Sequence, residues 1–357
     1  MEEVLKERLN WHGRFLDYND IRYFNYSASG FSFKMRGKSA EATFISDADD
    51  FNEKERAIIG IYAWEGYDDS IENIPETEPK IVILNKNETK VSIFNEFDDK
   101  NMCIFVIKLT EAQYASTGLK SLNIDGSIIN SLGNEIKREK IEVIGDSITC
   151  GYGVNGKDTD LSFSTITERS DKSYPFLLAK KMKAELMCVS WSGIGITSHW
   201  IEEDKNIPDI NLLMGSLWSY TDKEICRRLK IDPIIWDENK FSPDTIIINL
   251  GTNDASFIKN MEDRRLLFVA YYKDLIERIH IRSPKARIIC TYGVMEQSLQ
   301  DSVKQACTIF KNEFKNVDVR YIPLELQRDE DGKGTCGHPS IVTQERICET
   351  LYKELTK

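Results

Sequence analysis

From residue 141 onward, short unbroken apolar runs alternate with stretches of helical period, and this alternation constrains the fold more than any other feature. IEVIG (141–145) precedes a helical stretch near 174–183, which leads to ELMCVS (185–190). DTIIINL (244–250) is followed by a long helical stretch near 263–281 and then ARIICTY (286–292). A further helix near 302–314, the strand VDVRYIPL (317–324) and a last helix over about 341–355 complete the pattern. Strands that are apolar on both faces must be covered on both faces, so the pattern predicts a parallel sheet between two helical layers.

The first 135 residues follow a different rhythm. FSFKMRG alternates Phe31, Phe33 and Met35 with polar residues, the period of a half-buried strand. AEATFIS, AIIGIYAWEG, KIVILN, KVSIFNE, CIFVIKL and LKSLNIDG follow, most of them separated by Asp, Asn and Gly clusters. Many short strands with turn signals predict a β-sandwich. The polar stretch NSLGNEIKREK (130–140) marks the expected boundary, giving a β-sandwich domain over 1–135 and an α/β domain over 136–357. Residues 201–240 form a long insertion whose Trp218 and Trp236 favour an ordered segment, with a place in the cleft wall as one expected role.

A net charge of −11 argues against a nucleic-acid partner, which requires clustered Lys and Arg, and against an anionic membrane surface. No stretch approaches the roughly 20 apolar residues of a membrane span. MEEVLKERLNWHGRF lacks the apolar core of a secretory signal, so a cytoplasmic location is the expectation if this is the natural start. The eight cysteines contain no CxxC pair and several lie in apolar strands, which predicts buried free thiols and no zinc.

In an open parallel sheet, ligands bind beyond the carboxyl ends of the strands. There the chain places Gly145-Asp146-Ser147-Ile148-Thr149-Cys150-Gly151-Tyr152-Gly153. Glycines on both sides permit a tight strand-to-helix turn that lifts the Ser147 hydroxyl to the sheet edge, and backbone N–H groups at that turn suit an oxyanion. Taken alone, the same turn reads equally well as a Gly-rich connector. A phosphate loop is disfavoured because no Lys follows at the required spacing. Ser190-Trp191-Ser192-Gly193-Ile194-Gly195 follows the second strand, and Asn249-Leu250-Gly251-Thr252-Asn253-Asp254 the third. Preset amide donors of this kind stabilise an acyl-transfer oxyanion, although a helix-capping Asn or Asp would look the same.

Of the histidines at 12, 199, 280 and 338, His12 lies in the N-terminal arm and His280 ends a helix, where a cation suits the dipole. His199 is expected on a helix after the Gly193 loop, in a packing or substrate position. His338 sits in Asp331-Gly332-Lys333-Gly334-Thr335-Cys336-Gly337-His338-Pro339, a loop leading into the last helix, with Pro339 expected to open it. A late junction histidine opposite the Ser147 turn is the best candidate for a general base.

At these blocks the sequence resembles the SGNH hydrolases, and more closely carbohydrate esterase family two. IGDSITCGYG, SWSGIG, SPDTIIINLGTND and the DGKG…GHPS ending carry the resemblance, with FVIKLTEA in the first half. It implies an SGNH-type parallel sheet preceded by a jelly-roll-like β-sandwich, and an O-acetyl esterase acting on acetylated oligosaccharides of mannan or xylan. It places Ser147 as nucleophile, His338 as base, and Ser147, Gly193 and Asn253 around the oxyanion, with no metal or organic cofactor required. Most SGNH enzymes carry an Asp three residues before the His; here that position is Thr335, so a backbone carbonyl is expected to orient the imidazole, with Asp331 as the alternative. Tyr152 and Trp191 are the expected sugar-stacking residues, each of which also reads as a packing residue. The competing readings are an SGNH lipase or thioesterase and a non-catalytic carbohydrate-binding protein.

Overall fold

The computed structural model describes residues 2–129, 137–160 and 162–357. Its first half consists of β1 (Glu2–Glu3), β2 (Asn10–His12), β3 (Leu16–Tyr18), β4 (Ile21–Tyr23), β5 (Gly30–Ile45), β6 (Ile58–Glu65), β7 (Lys80–Ile83), β8 (Glu88–Lys108) and β9 (Gly118–Ile128). These strands join in one antiparallel sheet of order β3-β4-β9-β5-β8-β6-β7, with β1 paired to β9 and β2 to β5. The expectation of many short strands needs correction. FSFKMRG and all but the last residue of AEATFIS belong to one 16-residue strand, and KVSIFNE and all but the last residue of CIFVIKL to one of 21 residues.

The turn-like residues at 37–39 and 98–101 are carried inside the ladder by register shifts, at which Gly37 pairs with Lys100 but Ser39 with Asn95. These irregularities also preserve the apolar face. Phe31, Phe33 and Met35 point inward before them and Ala40, Ala42 and Phe44 after them, so the parity changes while the buried side stays the same.

The second half follows the predicted alternation. It runs β10 (Lys140–Gly145), α1 (Ser147–Cys150), α2 (Tyr174–Met182), β11 (Glu185–Ser190), α3 (Met214–Leu217), α4 (Lys223–Leu229) and β12 (Thr245–Asn249). It continues through α5 (Thr252–Ile258), α6 (Glu262–Arg282), β13 (Arg287–Tyr292), α7 (Gln300–Glu313), β14 (Val319–Pro323) and α8 (Ile341–Leu355). The five strands are parallel in the order β11-β10-β12-β13-β14. Ile246, Ile248, Ile288 and Cys290 bury one face with Phe268, Tyr272 and Phe310 of α6 and α7. Ile141, Val143, Ile247 and Ile289 bury the other with Leu178 of α2 and Leu351 of α8. Ser340, rather than Pro339, starts α8, its hydroxyl accepting the Thr343 N–H. Among the described residues no helix is long and apolar enough to cross a membrane. Seven of the cysteines are buried free thiols and Cys336 is exposed.

The boundary stretch expected at 130–140 lies in part, at 130–136, outside the described residues. On either side of it the two halves share a core: Ile58, Tyr62, Phe105, Ile107 and Leu109 of the antiparallel sheet pack in one cluster with Tyr174 and Phe176 of α2. Polar contacts reinforce this joint. The buried Arg14 meets the buried Glu142 of β10 at 3.1 Å and donates to the Trp218 carbonyl at 2.6 Å, while the Trp218 indole N–H donates to Glu142 at 2.9 Å. Arg228 of α4 donates to the carbonyls of Ala112, Gln113 and Tyr114 and to Asp47. The insertion is therefore ordered, but its tryptophans do not wall a cleft: Trp218 and Trp236 are 1% and 3% exposed and belong to the packing around this joint.

Candidate active site

The strand order places the topological switch between β10 and its two neighbours, so the loops after β10, β11 and β12 converge at one sheet edge. β10 ends at Gly145, where a Cβ would stand 2.0 Å from the Thr149 hydroxyl; only glycine lets α1 fold back so tightly. Asp146 caps α1 by accepting the Ile148 N–H at 3.0 Å, and Gly151 closes it in the left-handed region at φ 82°. Ser147 is thereby held at the first position of α1.

His338 reaches it from the far end of the chain. Its Nε2 lies 2.9 Å from the Ser147 hydroxyl oxygen, and its Nδ1 lies 3.2 Å from the Thr335 carbonyl. A carbonyl only accepts, so Nδ1 carries the proton and Nε2 presents its lone pair to the serine O–H. Burial lowers the His338 pKa to about 4, against which the Thr335 and Cys336 backbone groups pull weakly. Asp331 is turned away and pairs with Arg346. The neutral, correctly tautomerised imidazole next to a hydroxyl is the arrangement a general base needs.

The loop after β11 approaches from the other side. Gly193 has φ 82°, and a Cβ there would fall 2.2 Å from the His199 ring. His199 is not helical as expected; it forms an isolated bridge with Asp209 and its ring fills the space under Gly193. Asn253, at the start of α5, donates from Nδ2 to the Ile194 carbonyl at 2.8 Å and lies 3.4 Å from Asp146. Its amide is thus fixed between the Gly193 loop and the cap of α1, one N–H donating to the Ile194 carbonyl and the other, more loosely, to Asp146 Oδ2. The next residue, Asp254, is fully buried and accepts from the N–H groups of Ile196, Thr197 and Ser198. Burial pushes the Asp146 carboxyl up to about 7, with the Ile148 N–H opposing.

The remaining histidines have packing roles. His12 sits 3.0 Å from the Ser32 hydroxyl and stacks on Phe105, and His280 packs edge-on against Phe310 and Phe314.

The expected sugar-stacking residues are corrected. Trp191 is 9% exposed and packed in the core of the parallel sheet. Tyr152 stacks on Phe163 at 4.3 Å and leans on His338 at 4.2 Å. Two rings at such distances must take opposite faces, so neither face of Tyr152 is free for a pyranose.

Two residues were missed by the sequence reasoning. Trp200 donates its backbone N–H to the Gly193 carbonyl at 2.8 Å and is 57% exposed. Glu111, from the turn after β8, accepts the Ser192 N–H at 2.7 Å and the Ser192 hydroxyl at 2.6 Å. The FVIKLTEA stretch was the signal that pointed near it. Glu111, Cys150 and Glu168 bring ligand atoms within 4.8 Å of one another, the grouping among the described residues with metal-ligand character. Glu111 is already engaged by Ser192, however, and the Lys108 ammonium lies close enough to act on Glu168.

The model of the GDSL-like Lipase/Acylhydrolase family matches residues 143–333. The Cellulase/esterase CelE of Acetivibrio thermocellus is 31% identical over 255 residues, 70% of this chain and 29% of that protein. An Acetylxylan esterase / glucomannan deacetylase of Cellvibrio japonicus is 27% identical over 230 residues, covering 63% of this chain and 58% of that protein. The chain thus spans under a third of the first relative and about three fifths of the second. Among solved structures, a family two carbohydrate esterase from Clostridium thermocellum, in complex with cellohexaose, superposes with a TM-score of 0.80 at 24% identity over 98% of both chains. The acetyl xylan esterase Est2A of Butyrivibrio proteoclasticus gives 0.84 at 18% identity, over 99% of this chain and 97% of that one. The fold, an antiparallel sheet ahead of a parallel sheet flanked by helices, is therefore that of the family-two esterase structures.

Proposed function

Because this chain belongs to the GDSL-like lipase/acylhydrolase family, we propose that it is a serine O-acetyl esterase that deacetylates oligosaccharides of the mannan or xylan type. The observation that carries the reading is the 2.9 Å approach of His338 Nε2 to the Ser147 hydroxyl, flanked by the Gly193 loop and the Asn253 amide. Ser147 attacks the acetyl carbonyl while its proton passes to Nε2. The carbonyl oxygen becomes an oxyanion, received by the N–H groups of Ser147 and Gly193 and by the Asn253 side-chain amide, which gives up its 3.4 Å bond to Asp146 to do so. Collapse expels the sugar alkoxide, which takes the proton from His338. Water attacks the acetyl-Ser147 ester, again giving its proton to Nε2, and acetate leaves with the hydroxyl restored.

A carbohydrate is favoured over a lipid by two observations. Two of the curated relatives are named for acetylxylan and glucomannan, and the C. thermocellum structure holds cellohexaose. Trp200 also presents an exposed indole next to the Gly193 loop, a suitable face for a pyranose.

The test is acetate release from 4-nitrophenyl acetate and from acetylated manno- and xylo-oligosaccharides, alongside long acyl esters. Ser147→Ala is expected to abolish release. A Ser147→Ala protein that still turns over would overturn the assignment, and preference for long acyl chains would turn the reading toward a lipase.

A further inference from the structure

We propose that Glu111, delivered by the β-sandwich, is a positioning residue for the oxyanion donors of the other half; the inference rests on the esterase reading above. Its side chain takes hold of a single residue with both oxygens. Oε2 accepts the Ser192 N–H at 2.7 Å and Oε1 accepts the Ser192 hydroxyl at 2.6 Å. Two bonds to one residue fix its rotation as well as its place, and Ser192 immediately precedes Gly193, whose N–H direction follows the Ser192 backbone. The same Oε2 also accepts from the thiol of Cys150, the last residue of α1, at 3.8 Å. One carboxylate thus spans the element that carries the attacking hydroxyl and the loop that carries the donor.

The rest of the loop is fixed at two further points, Ile194 by Asn253 and residues 196–198 by Asp254. Those two anchors lie in the same half as the loop they hold. Without Glu111 the Ser192 end would have no side-chain anchor among those described.

The segment that presents Glu111 is itself rigid. Lys108, fully buried, donates to the Asn25 side chain at 2.6 Å and to the carbonyls of Glu111 and Ala115. Arg228 grips the next three carbonyls from the opposite side. A buried lysine and a buried glutamate three residues apart are a costly way to close a sandwich, since well-packed apolar residues usually serve stability as well or better. Positioning explains them: an oxyanion donor misplaced by a fraction of an ångström forfeits most of its effect.

The experiment compares Glu111→Ala, Glu111→Gln and Ser192→Ala on 4-nitrophenyl acetate. Competent sites are counted by stoichiometric labelling of Ser147 with a fluorophosphonate, so that turnover is expressed per labelled site. Affinity for a boronic-acid transition-state analogue is measured in parallel. Glu111→Ala is expected to lower kcat per labelled site about a hundredfold with KM within about twofold, and to weaken the boronate by a similar factor. Glu111→Gln, which keeps one acceptor and can donate to the Ser192 hydroxyl, should recover most of the loss. Ser192→Ala should cost about tenfold.

A purely structural role would reduce the number of labelled sites and leave turnover per site unchanged. Such a result in Glu111→Ala, or in both milder variants if that protein does not fold, overturns the inference. Activity remaining in Ser147→Ala would instead overturn the esterase reading, so the two failures are distinct.

Discussion

The imidazole of His338 donates from Nδ1 to the Thr335 carbonyl at 3.2 Å, at the point where a Ser-His-Asp triad would place a carboxylate. A carbonyl fixes the tautomer but supplies no full negative charge to the imidazolium, and burial lowers the His338 pKa to about 4. Protonated His338 cannot accept the serine proton, so activity requires the neutral form. The acid limb of kcat/KM on 4-nitrophenyl acetate should therefore fall near pH 4, with a flat profile from about pH 5 to 7. A limb centred near 7 would assign control to Asp146 instead. The same depression affects stability: between about pH 4 and the ordinary value near 6.5 the unfolded chain binds the extra proton, so the His338 contribution, read as the difference in urea midpoint from His338→Gln, should decline as the pH falls through that window, against the opposite trend of the raised Asp146 carboxyl.

Asn253→Ala should reduce kcat about a hundredfold, because it removes a side-chain donor at the oxyanion together with the tether on the Ile194 carbonyl. Steady-state kinetics on the same ester checks this. A loss confined to KM would place Asn253 in ground-state binding.

Trp200→Ala should separate the sugar from the acetyl group. The exposed indole stands next to the Gly193 loop without forming part of it. KM for acetylated oligosaccharide is expected to rise about tenfold, while kinetics on 4-nitrophenyl acetate stay within about twofold. Equal losses on both substrates would count against a stacking role.

Arg14→Met should destabilise the protein by about 3–5 kcal/mol, because it strands Glu142 as a buried charge with the Trp218 indole as its remaining donor. Urea denaturation at neutral pH measures the shift, and the double change Arg14→Met with Glu142→Leu should recover much of it.

What the sequence revealed and what it hid divide along physical lines. The parallel sheet was legible because its strands are apolar on both faces and its helices are long enough to show their period. Ser147 and His338 stood out for local reasons: a hydroxyl between tight-turn glycines, and a junction histidine favoured over His12 in the N-terminal arm, His280 at a helix end and His199 in a packing or substrate position. Glu111 was hidden because its meaning depends on a contact with Ser192, 81 residues away, across a joint that composition does not show. Trp191 and Tyr152 misled because their distance in sequence from the catalytic blocks says nothing about which ring faces neighbours already cover. The long strands β5 and β8 were read as pieces because their irregular pairing carries the same Gly, Asp and Asn residues that elsewhere make turns.

The clasp of Arg228 on residues 112–114 bears on how such a molecule can change over time. One guanidinium holds the turn that carries Glu111, so the front half cannot be exchanged like a detachable sugar-binding cassette. A graft that replaced it would have to reproduce both the clasp and the carboxylate.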